Sequence, residues 1–104
     1  MINLFDDVPF RAADELFTEV LVRENVRIER IVSTGQSTPA DEPHCQTHDE
    51  WVLLLAGSAG LHIEGEGERD LRPGDHAFIR AHRNHWVTST ARDEPTIWLA
   101  IHFS

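Results

Sequence analysis

The stretch H-C-Q-T-H-D-E-W-V-L-L-L-A-G, from His44 to Gly57, joins a cluster of polar donor groups to an apolar run that stops at a glycine. The apolar run, Trp51 to Ala56, is unbroken, which favours a strand that is buried on both faces. A second stretch, P-G-D-H-A-F-I-R-A-H-R-N-H from Pro73 to His85, carries further imidazoles. Together the two stretches predict a small all-β barrel that holds one metal ion between them.

The polar part of the first stretch places four donors on one side of an extended chain, because alternate side chains of a strand share a face. These donors are His44, Gln46, His48 and Glu50. A straight strand would spread them over about 20 Å, at about 3.3 Å per residue. A bend near residues 47–49 would let His44 and Gln46 converge with Glu50, and His48 would be left over or would replace one of them. The alternative is a polar loop with surface histidines.

Length, charge and cysteine content limit the class of protein. The 104 residues fit one domain, 1–104, with residues 1–25 as an N-terminal strand and arm region. The net charge of -9 and the lack of a basic run argue against nucleic-acid binding. The N-terminus does not resemble a secretory signal, and the longest apolar run is too short for a bilayer. The single cysteine, Cys45, suits a reducing compartment, so we expect a cytoplasmic protein with no membrane partner.

Short strands and turns alternate along the rest of the chain. Residues 2–10 are expected to lie across the outside of the barrel or to pair as an edge, and residues 12–18 could form one helical turn. Residues 34–43 read as a loop and residues 65–70 as an acidic turn. Runs rich in β-branched and apolar residues predict further strands at 19–23, 26–33, 61–64, 76–79, 85–90 and 95–103. About eight short strands favour a sandwich or a barrel.

The alternation of side chains also assigns faces. In the last strand, Ile97, Leu99, Ile101 and Phe103 form an apolar face, and Thr96, Trp98, Ala100 and His102 form the other. Glu29 and Arg30 are expected to be solvated or paired charges, and His62 is expected at the surface. The three tryptophans are candidate pocket walls or ordinary core and interface residues; they are Trp51, Trp86 and Trp98.

The sequence resembles the cupin family, whose two motifs are G-x5-H-x-H-x3-E-x6-G and G-x5-P-x-G-x2-H-x3-N. The first motif is matched by His44, by Gln46 in place of the second histidine, and by Glu50 followed after six residues by Gly57. The second is matched around Pro73-Gly74-Asp75 and at His85. It departs from the family where Arg80, His82 and Ser89 replace a proline, a glycine and an asparagine. The resemblance covers roughly residues 26–103 and implies an all-β jelly-roll barrel, a small double-stranded β-helix.

The resemblance also implies a metal site. Its ligands would be His44, Gln46, Glu50 and His85, around one divalent transition metal such as Zn, Ni, Fe or Mn. Gln46 is a weaker donor than the usual imidazole, and His48 or His82 could take its place. A barrel that has lost its metal is the alternative.

The implied function is that of a metal-dependent enzyme acting on a small molecule, of the dioxygenase, isomerase or lyase type. A non-catalytic module that binds or senses a small ligand or a metal is the alternative. A metal-free barrel that serves an interaction is a third reading. Because the apolar strands need cover on both sides, and because the family commonly pairs its barrels, we expect a homodimer.

Overall fold

The computed structural model describes residues 3–104 and contains eight β-strands. In chain order they are β1 (Leu16–Arg23), β2 (Val26–Ser33), β3 (Asp49–Ala56), β4 (Ala59–Ile63), β5 (Gly67–Leu71), β6 (His76–Ile79), β7 (His85–Thr90) and β8 (Thr96–Phe103). Within residues 3–104 there is no helix long and apolar enough to cross a membrane. The all-β prediction is therefore confirmed.

The strands form two antiparallel sheets that face each other. One sheet has five strands in the order β1-β2-β8-β3-β6, and the other has three in the order β5-β4-β7. Consecutive strands pair in β1–β2 and in β4–β5, whereas β8 pairs with β2 and β3, which are far from it in sequence. This arrangement is the predicted jelly roll.

The pairing of β3 with β8 determines which end of the barrel interior is apolar and which is polar. Inward positions face each other across the two strands, so that Leu54 lies opposite Trp98, Val52 opposite Ala100, and Glu50 opposite His102. The first two pairs belong to the buried apolar core, which also contains Ala59, Leu61, Ile63, Leu71 and Ile79. The interior is therefore apolar towards Leu54 and polar towards Glu50.

Several local predictions need correction. Residues 65–70 are predicted to form an acidic turn, but residues 67–70 belong to strand β5 beside β4. Residues 12–18 contain no helical turn, and β1 already begins at Leu16. Glu29 and Arg30, expected to be solvated or paired charges, are both buried. Of the two, Glu29 does pair, with Arg27 and His102.

Arg30 faces away from the barrel interior and binds the N-terminal arm. Its Nη1 donates to the carbonyl oxygens of Leu4, at 3.2 Å, and of Asp6, at 2.5 Å. The arm thus lies across the outside of the larger sheet, one of the two placements expected for residues 2–10; Met1 and Ile2 fall outside the described residues.

Gly57 ends β3 in a conformation that only glycine adopts without strain, with φ at +86°. A Cβ atom there would lie 2.4 Å from Thr96 Oγ1 and 2.6 Å from Thr96 Cα. Gly67 has a similar φ of +89°, but a Cβ atom would meet nothing within 4 Å. Alanine substitutions at these two glycines therefore distinguish the effect of backbone strain, present at both, from that of steric overlap, present only at Gly57.

We expect Gly67→Ala to lower the free energy of unfolding by about 1 kcal/mol through backbone strain alone. Gly57→Ala should lower it by about 3 kcal/mol or more, because it adds overlap with the Thr96 backbone. Urea denaturation of both variants measures the difference. Equal losses would show that the contact with Thr96 does not constrain this turn.

Candidate functional site

The polar end of the barrel interior encloses a cavity of about 110 Å³ between the two sheets. Its polar lining residues are Glu15, Glu29, His44, Gln46, Glu50, His85 and His102. Its apolar lining residues are Phe17, Ile31, Val52, Leu61, Ile79, Val87 and Trp98. All four residues predicted as metal ligands therefore line one cavity.

A backbone bridge brings His44 and His85 together. The amide of each donates to the carbonyl oxygen of the other, at 2.9 and 3.0 Å, in an isolated antiparallel pair. Opposite residues in such a pair project side chains to the same side. The imidazole centres lie 5.5 Å apart, with His85 buried and His44 exposed at the edge of the cavity. The bridge brings the start of the first motif to the end of the second, which the pairing of β3 with β6 also joins.

Glu50 lies at the centre of the polar lining. Its Oε1 accepts a hydrogen bond from Gln46 Nε2 at 2.9 Å and lies 3.7 Å from His85 Nε2. Its side chain is 8% exposed. The chain bends at residues 47–48, between the loop and β3, as convergence of these donors required.

The donor set fits a transition metal in type and location. Two imidazoles, a carboxylate and an amide are ligands for such ions. Between residues 3 and 104, however, no three His, Cys, Asp or Glu side chains are already grouped closely enough to hold a metal ion. Donor atoms at about 2.0–2.2 Å from a tetrahedral ion lie about 3.3–3.6 Å from each other. His85 Nε2 and Glu50 Oε1, which are 3.7 Å apart, are therefore close to ligand spacing. Metal binding would have to bring a third donor up to this pair.

The sequence analysis missed a second polar group in the cavity. His102 Nε2 donates to Glu29 Oε1 at 2.8 Å and lies 3.9 Å from Glu50 Oε2. In that tautomer, His102 Nδ1 accepts from His48 Nε2 at 2.9 Å. The period-two alternation of β8 had placed His102 on one face, but it did not say that this face turns inward.

The two spare histidines lie away from the cavity. His48 is beside His102 and lines a groove next to the β1–β2 turn. His82 is exposed, with φ at +65°, and its amide donates to the Gln46 carbonyl oxygen. Neither replaces Gln46 in this arrangement.

Of the three tryptophans, Trp98 lines the cavity and Trp51 faces outward on the larger sheet.

Burial lowers the pKa of His85, and the hydrogen bond to the Arg83 carbonyl oxygen opposes this shift. That bond, at 3.1 Å, makes Nδ1 the donor, because a carbonyl oxygen can only accept. The uncharged imidazole then presents an unprotonated Nε2 to Glu50 and the cavity. This is the form in which histidine binds a metal.

A jelly-roll barrel with imidazole and carboxylate donors in its interior defines a recognised class of β-barrel protein. The model of the cupin domain matches residues 29–102, and the chain belongs to this family. The comparison with curated proteins found no match.

Solved structures give the same fold. The crystal structure of a "putative mannose-6-phosphate isomerase" from Ralstonia eutropha JMP134 is 46% identical, with a TM-score of 0.95 over 98% of this chain and 95% of that one. A cupin superfamily protein from Desulfitobacterium hafniense DCB-2 is 21% identical, with a TM-score of 0.75 over 92% of this chain and 83% of that one. The DMSP lyase DddQ of Ruegeria pomeroyi DSS-3 is 22% identical, with a TM-score of 0.72 over 86% of this chain and 47% of that one.

The lowered pKa of His85 predicts loss of stability in acid. Below the ordinary histidine pKa of about 6.5, the unfolded chain takes up a proton that folded His85 does not. The free energy of unfolding should therefore fall from about pH 7 to pH 5, by at most about 1.4 kcal/mol per pH unit for this group. His85→Gln should make the slope shallower in urea denaturation with a chelator present. An identical slope in both proteins would contradict the prediction.

Proposed function

We propose that the protein is a metal-dependent cupin enzyme that acts on a small molecule. One divalent transition metal, such as Zn, Ni, Fe or Mn, would be held by His44, Glu50 and His85, with Gln46 as a fourth donor. The observation that supports this most is the convergence of these donors on a single cavity from β3, β7 and the loop before β3.

A bound divalent ion would supply Lewis acidity towards a carbonyl group or a water molecule. The chain's own residues prepare the site for it. The Arg83 carbonyl oxygen, outside the donor set, fixes the ring of His85, and such outer contacts orient ligands. Gln46 holds the carboxylate of Glu50 through its Nε2, so that its Oε1 would serve as the fourth donor. The apolar walls from Val52, Leu61 and Ile79 restrict water.

Among the reaction types implied by the family, isomerisation has the most support. The Ralstonia eutropha protein is 46% identical over nearly the whole chain, and its name is that of an isomerase. The lyase is only 22% identical, so its similarity supports the fold but not a shared reaction. An isomerase assay on the metal-loaded protein therefore comes first. Ligand binding without turnover would instead support a sensor or carrier.

The metal proposal predicts that His85→Ala abolishes metal binding, because it removes the most buried imidazole of the donor set. Elemental analysis of purified protein should find about one equivalent of metal in the natural chain and almost none in the variant. His62→Ala, on the outer face of the smaller sheet, is the matched control and should keep its metal. Unchanged metal content in His85→Ala would refute the ligand assignment.

We also propose that two copies pair through the outer face of the larger sheet. A row of apolar side chains crosses all five strands of this face: Leu21, Ile28, Ile101, Trp51 and Phe78. Phe78 is 44% exposed and stacks on Phe103 with ring centroids 6.1 Å apart. The chain is strongly acidic, yet this row is uncharged, so two such faces can meet without like-charge repulsion at their centre.

Light scattering should give about twice the 11.8 kDa of one chain. Substitution of the exposed ends of the row, Leu21→Ser with Phe78→Ser, should shift the protein towards monomer without unfolding it. Val22→Ser is the control, because Val22 is equally exposed and on the same strand but pairs with Arg27, outside the row. A monomeric natural chain would overturn this assembly.

A further inference from the structure

The size of the cavity limits what it can take. Pockets for drug-sized ligands have about 300–1,000 Å³, whereas this one has about 110 Å³. A space of this size suits a compound of about three carbons. A larger ligand such as a hexose would have to extend past His44 and Phe17, whose side chains are exposed.

The charged side chains of the cavity wall are acidic. Glu15, Glu29 and Glu50 line it, and none of the described residues in the lining is an arginine. The chain has no lysine at all. Arg27 lies 3.9 Å from Glu29 but belongs to the groove beside the β1–β2 turn. A divalent ion on Glu50 would offset part of this charge, but the wall would still hold no cationic side chain for a phosphate group.

The hydrogen-bonding groups of the wall are mostly acceptors. Three of its donors are engaged, since Gln46 donates to Glu50, His85 to the Arg83 carbonyl oxygen, and His102 to Glu29. Glu15 accepts from Ser33 and keeps further lone pairs for a ligand. Such a wall pairs with hydroxyl groups that donate, and it repels phosphate oxygens that only accept.

We propose that the cavity binds a small uncharged polyhydroxy or hydroxycarbonyl compound of about three carbons and rejects its phosphate ester. The inference rests on the proposed function and names the substrate class of the same site. A phosphorylated sugar is excluded from this class, because the wall offers no arginine or lysine side chain to bind the phosphate group.

Dihydroxyacetone and dihydroxyacetone phosphate form a matched pair of probes that differ only in the phosphate group. Their dissociation constants are measured by ligand-observed NMR on protein of known metal content. We expect the phosphate to bind at least about tenfold more weakly than the free triose. Glu15→Gln and Glu29→Gln should each narrow this ratio, because each removes one negative charge from the wall. Glu94→Gln, in the exposed turn before β8, should leave it unchanged.

Phosphate binding as tight as that of the free triose would overturn the inference, as would binding of neither probe. If Glu15→Gln and Glu29→Gln left the ratio of the two dissociation constants unchanged, the carboxylates would not be the cause of the discrimination against phosphate. This test of the substrate class can fail or succeed independently of the test of metal binding. A protein that prefers the free triose but contains no metal in any preparation would refute the metal-dependent enzyme and uphold the substrate class.

Discussion

The antiparallel pairing of β3 with β8 is the constraint on which both the core and the site depend. One register places Leu54 opposite Trp98 and Glu50 opposite His102, so the apolar and polar ends of the interior are set by the same ladder. A shift of one residue would turn every inward side chain to the outer face. The core pairs therefore hold the site in register, because burial of Leu54 and Trp98 resists any slip that would move Glu50 out of the cavity.

The His44–His85 bridge is the second constraint, and it acts between segments that the sheets do not otherwise join. Its two backbone hydrogen bonds attach the loop before β3 to the start of β7. The amide of His82 adds a third tie to the same loop through the Gln46 carbonyl oxygen. Donors held this way are positioned by backbone geometry rather than by long flexible side chains, which lowers the entropy cost of gathering them around a ligand.

Sequence reasoning predicted the fold and four residues that line the cavity, but it missed Glu15, Glu29 and His102 in the polar wall. The Glu50 to Gly57 spacing and the Pro73-Gly74-Asp75 turn are local patterns, so they can be read without knowing the partners of each strand. Alternation, by contrast, divides β8 into two faces without saying which is inside. Here the face of Leu99 and Ile101 turns outward, and that of Trp98 and His102 turns inward. Strand β5 was missed because its inward residues, apart from Leu71, are glycine and arginine, which carry no strand signal.

The apolar outer face and the acidic cavity can both be explained by the free-energy cost of burying charged groups in a small domain. A domain of this size has little apolar surface to spare, and burying carboxylates such as Glu29 and Glu50 costs free energy unless partners compensate them. His102 compensates Glu29, and Gln46 compensates Glu50 in part. At one end of the barrel, polar groups thus occupy space that apolar side chains could have filled, while other apolar side chains lie on the outside of the larger sheet. This distribution is expected if a ligand binds at the polar inner surface and a second chain covers the apolar outer surface.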